Sequence, residues 1–491
     1  MVTENKIKKF VVAETAVNDF TDKDKKFENV KTKRVETPRY NVTFEELKKG
    51  GAVGSEATLY ENIAESIPNG LYDVFENYKD IPQFVKTKSF DSGRNLDALV
   101  DVLKTGQSFG IASGRKPSGA CHFGHKLVVE ALSFFQKNNG QIFMPIADLE
   151  AELDDKIKDK EHYKLLAADN ILDWGACGLD LDAAHVYLQS EEMHVMQLAY
   201  TVSRGLEFDT ALDIYGRDSL VDDFKFTFAG MAQVGDILLP QHQAFDRNYS
   251  FMLSGPDQDG HMTMTMTLAG KAIENKNPHV KKTPASLYVL HVPGFDGKKM
   301  SASEPQTSSY LGSLRNVYVK TEGRKFLDHI NALTIDERIE DSVSKINKYK
   351  ETNPEQLANC INKMSRVLPE FAECKTADDF IAAMPGILRE HQMRRRDVYA
   401  YACLKALGEL VAHSGSGWDE RSVESKQPEL VENIVAGLKR NCPEIQNAYE
   451  EIAHKPKFWK ASEAAYIPAE QRQVKTQWYH MIAANANKLV V

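Results

Sequence analysis

The chain has 491 residues, of which 42% are hydrophobic, so it can bury the cores of about two to three domains, and its composition excludes a disordered protein. Its 61 basic and 70 acidic residues give a formal net charge of −9, which excludes a protein that coats nucleic acid through bulk positive charge. Charges interrupt the first twenty residues and no apolar stretch approaches the ~20 residues of a membrane span, so neither secretion nor membrane insertion is expected.

The six cysteines are scattered along the chain, with no C-x-x-C pair and no histidine at zinc-finger spacing. This pattern is not that of a structural metal site, so no protein-bound metal is expected. Reduced thiols are typical of proteins in a reducing compartment. We therefore expect a cytoplasmic location.

The N-terminal segment differs in composition from the rest of the chain. Residues 1–55 are rich in Lys and Asp and show little apolar periodicity, whereas organised chain is expected from about Tyr60. We interpret residues 1–84 as an appended extension that is partly flexible.

A strand, a turn, a helix and a second strand follow one another between residues 109 and 147. The apolar run Phe109–Ala112 reads as a buried strand, and Gly114–Gly119 as a tight turn. Apolar residues at helical spacing then continue to Asn139-Gly140, a pair that tolerates the left-handed conformation at a helix end. Residues 141–147 read as the next strand. This order predicts the right-handed βαβ unit of a parallel sheet in an α/β protein, with a ligand crevice at the carboxyl ends of the strands.

Two histidines lie at the start of the predicted helix, next to that crevice. His122 and His125 are three residues apart and share a helix face, and a helix N-terminus attracts anions through its partial positive charge and its N–H groups. Gly124 between them leaves room for a flat ring to approach the backbone. A Walker P-loop is excluded, because Ala120 and Cys121 stand where it requires Lys and Ser or Thr.

A lysine-bearing loop follows much later in the chain. A predicted strand at residues 287–290 leads into the loop that holds Lys299, Met300 and Ser301, and from Asn316 onward the pattern is mostly helical. A flexible ammonium can follow the β- and γ-phosphates of ATP as pyrophosphate separates. Together with the histidine pair, the lysine indicates a reaction at the α-phosphate of ATP.

These motifs resemble the two signatures of the class I aminoacyl-tRNA synthetases. His122-Phe123-Gly124-His125 resembles the HIGH signature, and Lys299-Met300-Ser301-Ala302-Ser303 the KMSKS signature. Within the class, the chain is most similar to the archaeal and eukaryotic tryptophanyl enzymes, because Gly255–His261 resembles their Asp-Gln-Asp motif. The resemblance implies a Rossmann catalytic domain at 85–315, a helical anticodon-binding domain at 316–491 and a homodimer.

The resemblance also implies roles for individual residues in activating tryptophan and transferring it to tRNA(Trp). His122, His125, Lys299 and Ser301 would carry catalysis on the phosphates, with no protein nucleophile. ATP would arrive with Mg²⁺ and would be bound by a further set: Pro117, Ser118, Gly124, Asp257 and Met300. Tryptophan would be bound by Glu150, Gln233 and Gln258, with Glu150 accepting a hydrogen bond from the indole N–H, which is a donor only.

Three features depart from the pattern of these relatives. Ala112 stands where they place an aromatic residue against the indole, Pro145 where a Gln is expected, and Met262 or Thr263 where an Arg is expected after the Asp-Gln-Asp motif. The amino-acid pocket is therefore rebuilt, or it takes a different amino acid.

Candidate tRNA contacts lie in the C-terminal part. Arg394, Arg395 and Arg396 could bind phosphates, and the run Lys455–Lys460 contains aromatic residues that could stack on an unpaired base. An arginine triplet is equally often a solvated helix face.

Three other functions are compatible with parts of the pattern. A tyrosyl-tRNA synthetase shares both signatures. A small-molecule nucleotidyltransferase shares the histidines but needs neither the lysine loop nor a large C-terminal domain. A non-catalytic paralogue that binds tRNA or a regulatory partner would explain the altered pocket, although it has no physical reason to keep His122, His125, Lys299 and Ser301 together.

Overall fold

The fold is known from a computed structural model. It describes residues 11–12, 32–33, 65–78, 80–119, 121–153, 160–207, 211, 214, 225–294, 300, 335–413, 428–443, 478–489 and 491.

A six-stranded sheet forms the centre of the N-terminal half. Its strands are β3 (Phe90–Arg94), β4 (Phe109–Ala112), β5 (Gln141–Ile146), β6 (His185–Leu188), β7 (Tyr249–Ser254) and β8 (Ala285–Val289), in the order β3-β8-β7-β4-β5-β6. All neighbours pair in parallel except the edge strand β3, which is antiparallel to β8. Two short strands, β1 (Val11–Val12) and β2 (Thr32–Lys33), pair separately with each other. The predicted α/β class with a Rossmann-type parallel sheet is confirmed.

Helices make up the rest of the regular structure. In chain order they are α1 (Asn69–Phe75), α2 (Gln83–Lys86), α3 (Leu96–Thr105), α4 (Phe123–Lys137), α5 (Asp148–Leu153), α6 (Lys160–Ala176), α7 (Met193–Ser203), α8 (Lys225–Leu238), α9 (Asp259–Glu274), α10 (Ile335–Thr352), α11 (Pro354–Val367), α12 (Ala377–His413), α13 (Pro428–Asn441) and α14 (Trp478–Ala484). Short 3₁₀ turns occupy Leu239–Gln241, Pro256–Gln258 and Pro369–Phe371. Among the helices of the described segments, none combines the length and the apolar character that crossing a bilayer requires.

The predicted βαβ unit is present as β4, α4 and β5. Every residue of β4 is buried, as expected for a strand covered on both faces of a parallel sheet. Asn139, just after α4, has φ +69°, a left-handed conformation that Asn tolerates. Gly140 follows because a Cβ there would lie 2.9 Å from the Phe135 carbonyl oxygen. This turn returns the chain directly into β5.

The strand order reverses at β4. From β4 the sheet grows one way through β5 and β6 and the other way through β7 and β8. In such sheets the chain segments that leave the two central strands diverge to opposite faces, so a crevice opens at their carboxyl ends. The residues that follow β4 and β7 therefore face a common space.

The start of the folded unit differs from the sequence-based boundary at residue 84. Glu65 pairs with Gly93 as an antiparallel bridge, and its carboxylate accepts hydrogen bonds from the Asn95 and Leu96 N–H groups at the start of α3. Leu71 and Phe75 of α1 are fully buried. Residues 65–78 and 80–84 thus pack with the sheet-containing part of the chain.

The described residues from 335 onward form helices alone, and they pack directly against the sheet-containing half. The buried apolar residues of both halves form one continuous cluster. The long helix α12 contacts α6, α10 and α14. The predicted domain boundary at 315 lies outside the described residues, as do the proposed tRNA contacts at 455–460.

A buried ionic cluster joins α12 to α6. The Arg395 guanidinium donates to Asp169 Oδ1 at 2.8 Å and to Asp173 Oδ1 at 2.5 Å, and all three side chains are fully buried. His391, one turn earlier on α12, lies 2.9 Å from Asp173. Burial raises the pKa of Asp173, but the Arg395 and His391 partners outweigh it and hold the pKa below its usual value.

This cluster corrects the prediction for the arginine triplet. Arg395 is engaged inside the protein and cannot reach a tRNA phosphate in this structure. Its neighbour Arg394 is about half exposed and pairs with Glu390 on the same helix, and Arg396 is half-buried. Only Arg394 keeps the surface position that the prediction required.

Replacing Phe75 with Ala tests whether the segment before residue 84 is part of the core. The Phe75 ring contacts Phe90, Phe134 and Phe135 with centroids 5.4–5.8 Å apart, so its loss should reduce the free energy of unfolding by roughly 3–5 kcal/mol. Urea denaturation followed by circular dichroism measures the change. Asp73→Ala, on the exposed face of the same helix, is the matched control and should shift the stability by less than about 0.5 kcal/mol. Equal effects of the two variants would contradict the assignment.

Candidate functional site

A cavity of about 450 Å³ opens at the carboxyl ends of β4 and β7. Its wall includes Ala112 and Ser113 at the end of β4, Ser254 and Gly255 at the end of β7, and Met300. This is the crevice that the reversal of strand order requires. The volume lies within the range of small-molecule sites, about 300–1,000 Å³.

The two histidines lie on the cavity wall at the first turn of α4. Their rings stack with centroids 3.6 Å apart and planes inclined by 27°. The His122 N–H donates to His125 Nδ1 at 3.2 Å, which ties the two residues together at the helix start. A Cβ at Gly124 would lie 3.1 Å from the His122 ring, closer than an ordinary contact. Glycine at this position therefore leaves room for the imidazole of His122 as well as for a ligand.

The loop before the histidines extends the sheet by a few residues. The Arg115 N–H donates to the Pro145 carbonyl at 3.0 Å, and the Ala147 N–H donates to the Arg115 carbonyl at 3.0 Å, so the loop runs parallel to the end of β5. A Cβ at Gly114 would lie 2.6 Å from the Pro145 oxygen. Ser118 lines the cavity, whereas Pro117 is buried in the same loop away from the cavity wall.

The three predicted amino-acid-binding residues all lie on the cavity wall. Glu150, in the first turn of α5, is within 3.2 Å of Lys116 Nζ and accepts a hydrogen bond from Gln233 Nε2 at 3.2 Å. Gln258 donates to Asp257 Oδ2 at 2.9 Å in the 3₁₀ turn after β7. The structure thus gathers residues from three distant segments of the chain around one space.

Asp236 is a cavity residue that the sequence analysis did not identify. Its carboxyl is buried and accepts hydrogen bonds from the Tyr187 hydroxyl at 2.9 Å and from Gln189 Nε2 at 2.6 Å. Burial raises the pKa of Asp236 to about 8, although these two donors act to lower it. Asp236 follows Gln233 by three residues on α8, so helical spacing from a predicted site residue could have identified it.

His261 is a second cavity residue that was missed. It lies in the first turn of α9, close to the carboxylates of Glu150 and Asp257. Burial lowers the pKa of His261, while the two carboxylates act in the opposite direction. His261 follows the predicted site residue Gln258 by three residues near the start of a helix, so helical spacing could have identified it as well.

The lysine loop is only partly described. Lys299 and Ser301 lie outside the described residues, so their predicted contacts stay predictions. Met300 between them is buried and lines the cavity. Within the described segments, no group of three or more His, Cys, Asp or Glu side chains is arranged to hold a metal ion.

The combination of groups defines what the cavity can bind. The start of α4 and the two imidazoles offer positive potential and N–H donors to an anion such as a phosphate. Ile237 and Met252 provide apolar surface near the buried carboxyl of Asp236. The cavity is suited to hold a phosphate-bearing nucleotide and an amphipathic small molecule together.

Sequence comparison agrees with the motifs. The family described as class I tRNA synthetases (W and Y) matches residues 104–367. The tryptophan--tRNA ligase of Methanocaldococcus jannaschii is 34% identical over 49% of this chain and 65% of its own length. The enzyme of that name from Methanopyrus kandleri is 33% identical over 44% of this chain and 57% of its own length. The chain therefore spans less than two thirds of these curated relatives.

Solved structures show a similar fold. A tryptophanyl-tRNA synthetase from the hyperthermophilic archaeon Aeropyrum pernix superposes with a TM-score of 0.50 at 23% identity, covering 72% of this chain and 96% of that protein. The Plasmodium falciparum tryptophanyl-tRNA synthetase superposes with a TM-score of 0.51 at 15% identity, covering 70% and 94%. At these identities the likeness concerns the fold.

Asp236→Asn tests the buried neutral carboxyl through the pH dependence of stability. Folding raises the pKa of Asp236 to about 8, from about 4 in the unfolded chain. Between pH 4 and 8 the folded protein therefore keeps a proton that the unfolded chain has released, and the free energy of unfolding of the wild type falls as the pH rises through this range. The asparagine variant lacks this loss. Its free energy of unfolding relative to wild type should therefore rise by up to about 1.4 kcal/mol per pH unit between pH 4 and 8.

Urea denaturation at several pH values measures this difference. Asp246→Asn is an opposite-sign control, because the hydrogen bond from Lys281 lowers the pKa of Asp246 and its contribution is lost as pH falls. A wild-type minus Asp236→Asn difference that stays constant from pH 4 to 8 would contradict the buried neutral carboxyl.

Proposed function

The chain belongs to the class I tRNA synthetases (W and Y), and from this membership we propose that it activates tryptophan with ATP and transfers it to tRNA(Trp). The observation that carries the proposal is the cavity at the reversal of strand order, where the His122–His125 pair at the start of α4 lies opposite the residues that follow β7. The names of the curated relatives support tryptophan as the amino acid.

The first step forms an aminoacyl-adenylate. A carboxylate oxygen of the amino acid attacks the α-phosphorus of ATP, the new P–O bond forms in line with the breaking bond, and pyrophosphate leaves with the magnesium ion that entered with the nucleotide. His122 and His125, together with the α4 N-terminus, stabilise the charge that builds on the phosphate oxygens. Lys299 and Ser301 bind the departing pyrophosphate, and Asp257 and Gln258 orient the nucleotide and the amino acid.

The second step transfers the acyl group to tRNA. A hydroxyl of the terminal ribose attacks the activated carbonyl carbon, the ester bond forms, and AMP leaves with the bond to the phosphate. No protein nucleophile takes part. Holding the adenylate and the ribose in one cavity supplies much of the rate, because the reaction becomes effectively unimolecular.

Three carboxyl groups line the cavity, Glu150, Asp236 and Asp257, and the structure supports different roles for the first two. Glu150 is about a third exposed and lies 3.2 Å from Lys116 Nζ, so its carboxyl oxygens are placed to bind a second cation, the α-ammonium of the amino acid. Asp236 is buried on a cavity wall that also includes Ile237 and Met252, and an apolar ring with a single N–H donor suits such a wall. We assign the indole acceptor to Asp236 and not to Glu150, the acceptor expected from the sequence.

A phenol hydroxyl could also bind Asp236, which makes tyrosine the second candidate. The hydroxyl is both donor and acceptor, and the small side chain of Ala112 leaves the cavity wall open where an aromatic residue was expected. The curated relatives named for tryptophan favour the first candidate.

Further parts of the proposal concern partners and location. The exposed face of α7, with Met193, Met196 and Tyr200, supports a homodimer, because such apolar surface is typical of an interface. Arg394, the exposed member of the arginine triplet, is a candidate contact for a tRNA phosphate. All six cysteines are free thiols, which supports a cytoplasmic location.

An exchange assay with radioactive pyrophosphate and each of the twenty amino acids tests the activation step. We expect exchange into ATP that depends on tryptophan, because adenylate formation is reversible in the absence of tRNA. Exchange that depends on tyrosine instead would show that the protein activates tyrosine by the same reaction. The absence of exchange with every amino acid would favour a non-catalytic protein that binds tRNA or a regulatory partner.

Lys299→Ala tests the role of the lysine loop. Loss of an ammonium that binds charge developing in the transition state should lower kcat for exchange by about 10²–10³-fold with a modest change in KM for tryptophan. The neighbouring Lys298 provides a matched control of the same residue type, and Lys298→Ala should stay within a few-fold of wild type. If the two variants are equally active, the catalytic assignment of Lys299 is wrong.

A further inference from the structure

The side chain of Arg115 joins the start of the loop that leads to the histidine pair to the end of that loop. Arg115 Nη1 donates to Cys121 Sγ at 2.7 Å and to Asn170 Oδ1 at 2.5 Å, and Arg115 Nη2 donates to the Gly119 carbonyl at 2.9 Å. Cys121 directly precedes His122 and also donates to Asn170 Oδ1 at 3.2 Å. Arg115 thus spans the loop from its start to the residue before the first catalytic histidine.

Asn170 is the point at which this loop rests on another element. It lies on α6, it is buried, and its side-chain oxygen accepts from both Arg115 and Cys121. A buried oxygen with two donors at short distance fixes the position of both donors, because displacing either one leaves a buried polar group without its hydrogen bond. The geometry of the His122 loop therefore depends on where α6 holds Asn170.

The residue before Asn170 belongs to the ionic cluster between α6 and α12. Asp169 accepts from Arg395 through its carboxylate at 2.8 Å and through its backbone carbonyl at 3.2 Å. Asp173, one turn later, accepts from Arg395 and His391. Two consecutive residues of α6 thus make the two contacts. Asn170 contacts the loop before His122, and Asp169 contacts α12 in the helical C-terminal part.

We propose that Asn170 is a positioning residue for ATP, and that Arg395 on α12 fixes Asn170 through Asp169. The helical part of the protein is then connected to the phosphate end of the cavity by two contacts, Arg395 with Asp169 and Asn170 with Arg115, which the α6 backbone joins because Asp169 and Asn170 are adjacent. This inference rests on the proposed function for its kinetic assay and gives the buried Arg395 a role that is independent of direct tRNA contact.

Two substitutions of Asn170 separate positioning from stability. Asn170→Ala removes the oxygen that holds Arg115 and Cys121, so KM for ATP in the exchange assay should rise roughly tenfold, with little change in KM for tryptophan. Asn170→Asp keeps an oxygen at the same place and should retain a KM for ATP close to wild type, although a second carboxylate beside Asp169 lowers the melting temperature. A purely structural role would make the KM for ATP of both variants equal to that of wild type while melting temperatures fall.

A double-mutant cycle tests the connection to α12. Arg395→Met should raise KM for ATP, and combining it with Asn170→Ala should raise it no further than the larger single effect, because both changes release the same loop. Effects that multiply would show that the two residues act separately and would overturn the connection. If Arg395→Met does not fold, Arg395→Lys weakens the same two contacts and replaces it in the cycle.

Val398→Ala is the matched control for general loosening of the interface. Val398 lies on α12 one turn beyond Arg395 and packs against Gly175 of α6 so closely that a Cβ there would lie 2.8 Å from its methyl group. It belongs to the same interface but not to the polar connection. Its KM for ATP should match wild type, and a rise as large as that of Arg395→Met would contradict the proposed route.

Equilibrium dialysis of ATP without an amino acid separates this inference from the proposed function. If wild type shows no exchange but binds ATP, the proposed activity fails while the effect of Asn170→Ala on the dissociation constant is still measured. A dissociation constant within twofold of wild type for Asn170→Ala would overturn the positioning role.

Discussion

The cavity exists because the strand order reverses at β4. The chain segments that leave β4 and β7 turn to opposite faces of the sheet. The carboxyl ends of these two strands are therefore left uncovered by backbone. The α4 N-terminus and the 3₁₀ turn after β7 are brought to this edge by the same constraint. Their side chains come from positions more than a hundred residues apart in sequence. Each lies at the cavity because it directly follows a strand that ends there.

The sequence predicted the local parts of this arrangement well. The strand β4 was identified to the residue from its apolar run, and the end of α4 was identified from Asn139-Gly140. Both signals lie within a few residues of the feature that they determine. The strand at β8 was predicted with different limits, because its hydrogen-bonded partners lie on β3 and β7 and no local residue marks where pairing begins.

Features that depend on distant partners were missed or misassigned. Arg395 looks like part of a basic surface, and only the fold shows that two aspartates more than two hundred residues earlier neutralise it in the interior. Phe75 lies between Tyr60 and residue 84, where the sequence analysis assigned no helix or strand, and its burial depends on rings contributed by β3 and α4. In each case the deciding interaction joins elements whose spatial relation the sequence pattern does not contain.

The choice of acceptor for the amino acid shows how the fold changes a chemical argument. From the sequence, an indole N–H needs a carboxylate, and Glu150 was the carboxylate at the end of a strand. Among the carboxyl groups of the cavity, Glu150 lies beside the cation of Lys116, whereas Asp236 is buried and accepts hydrogen bonds from Tyr187 and Gln189. Glu150 lies nearer the surface, where its oxygens are open to an ammonium, whereas burial raises the pKa of Asp236 and makes an uncharged donor the better partner for its carboxyl. The assignment therefore follows from the surroundings of each oxygen and not from residue type.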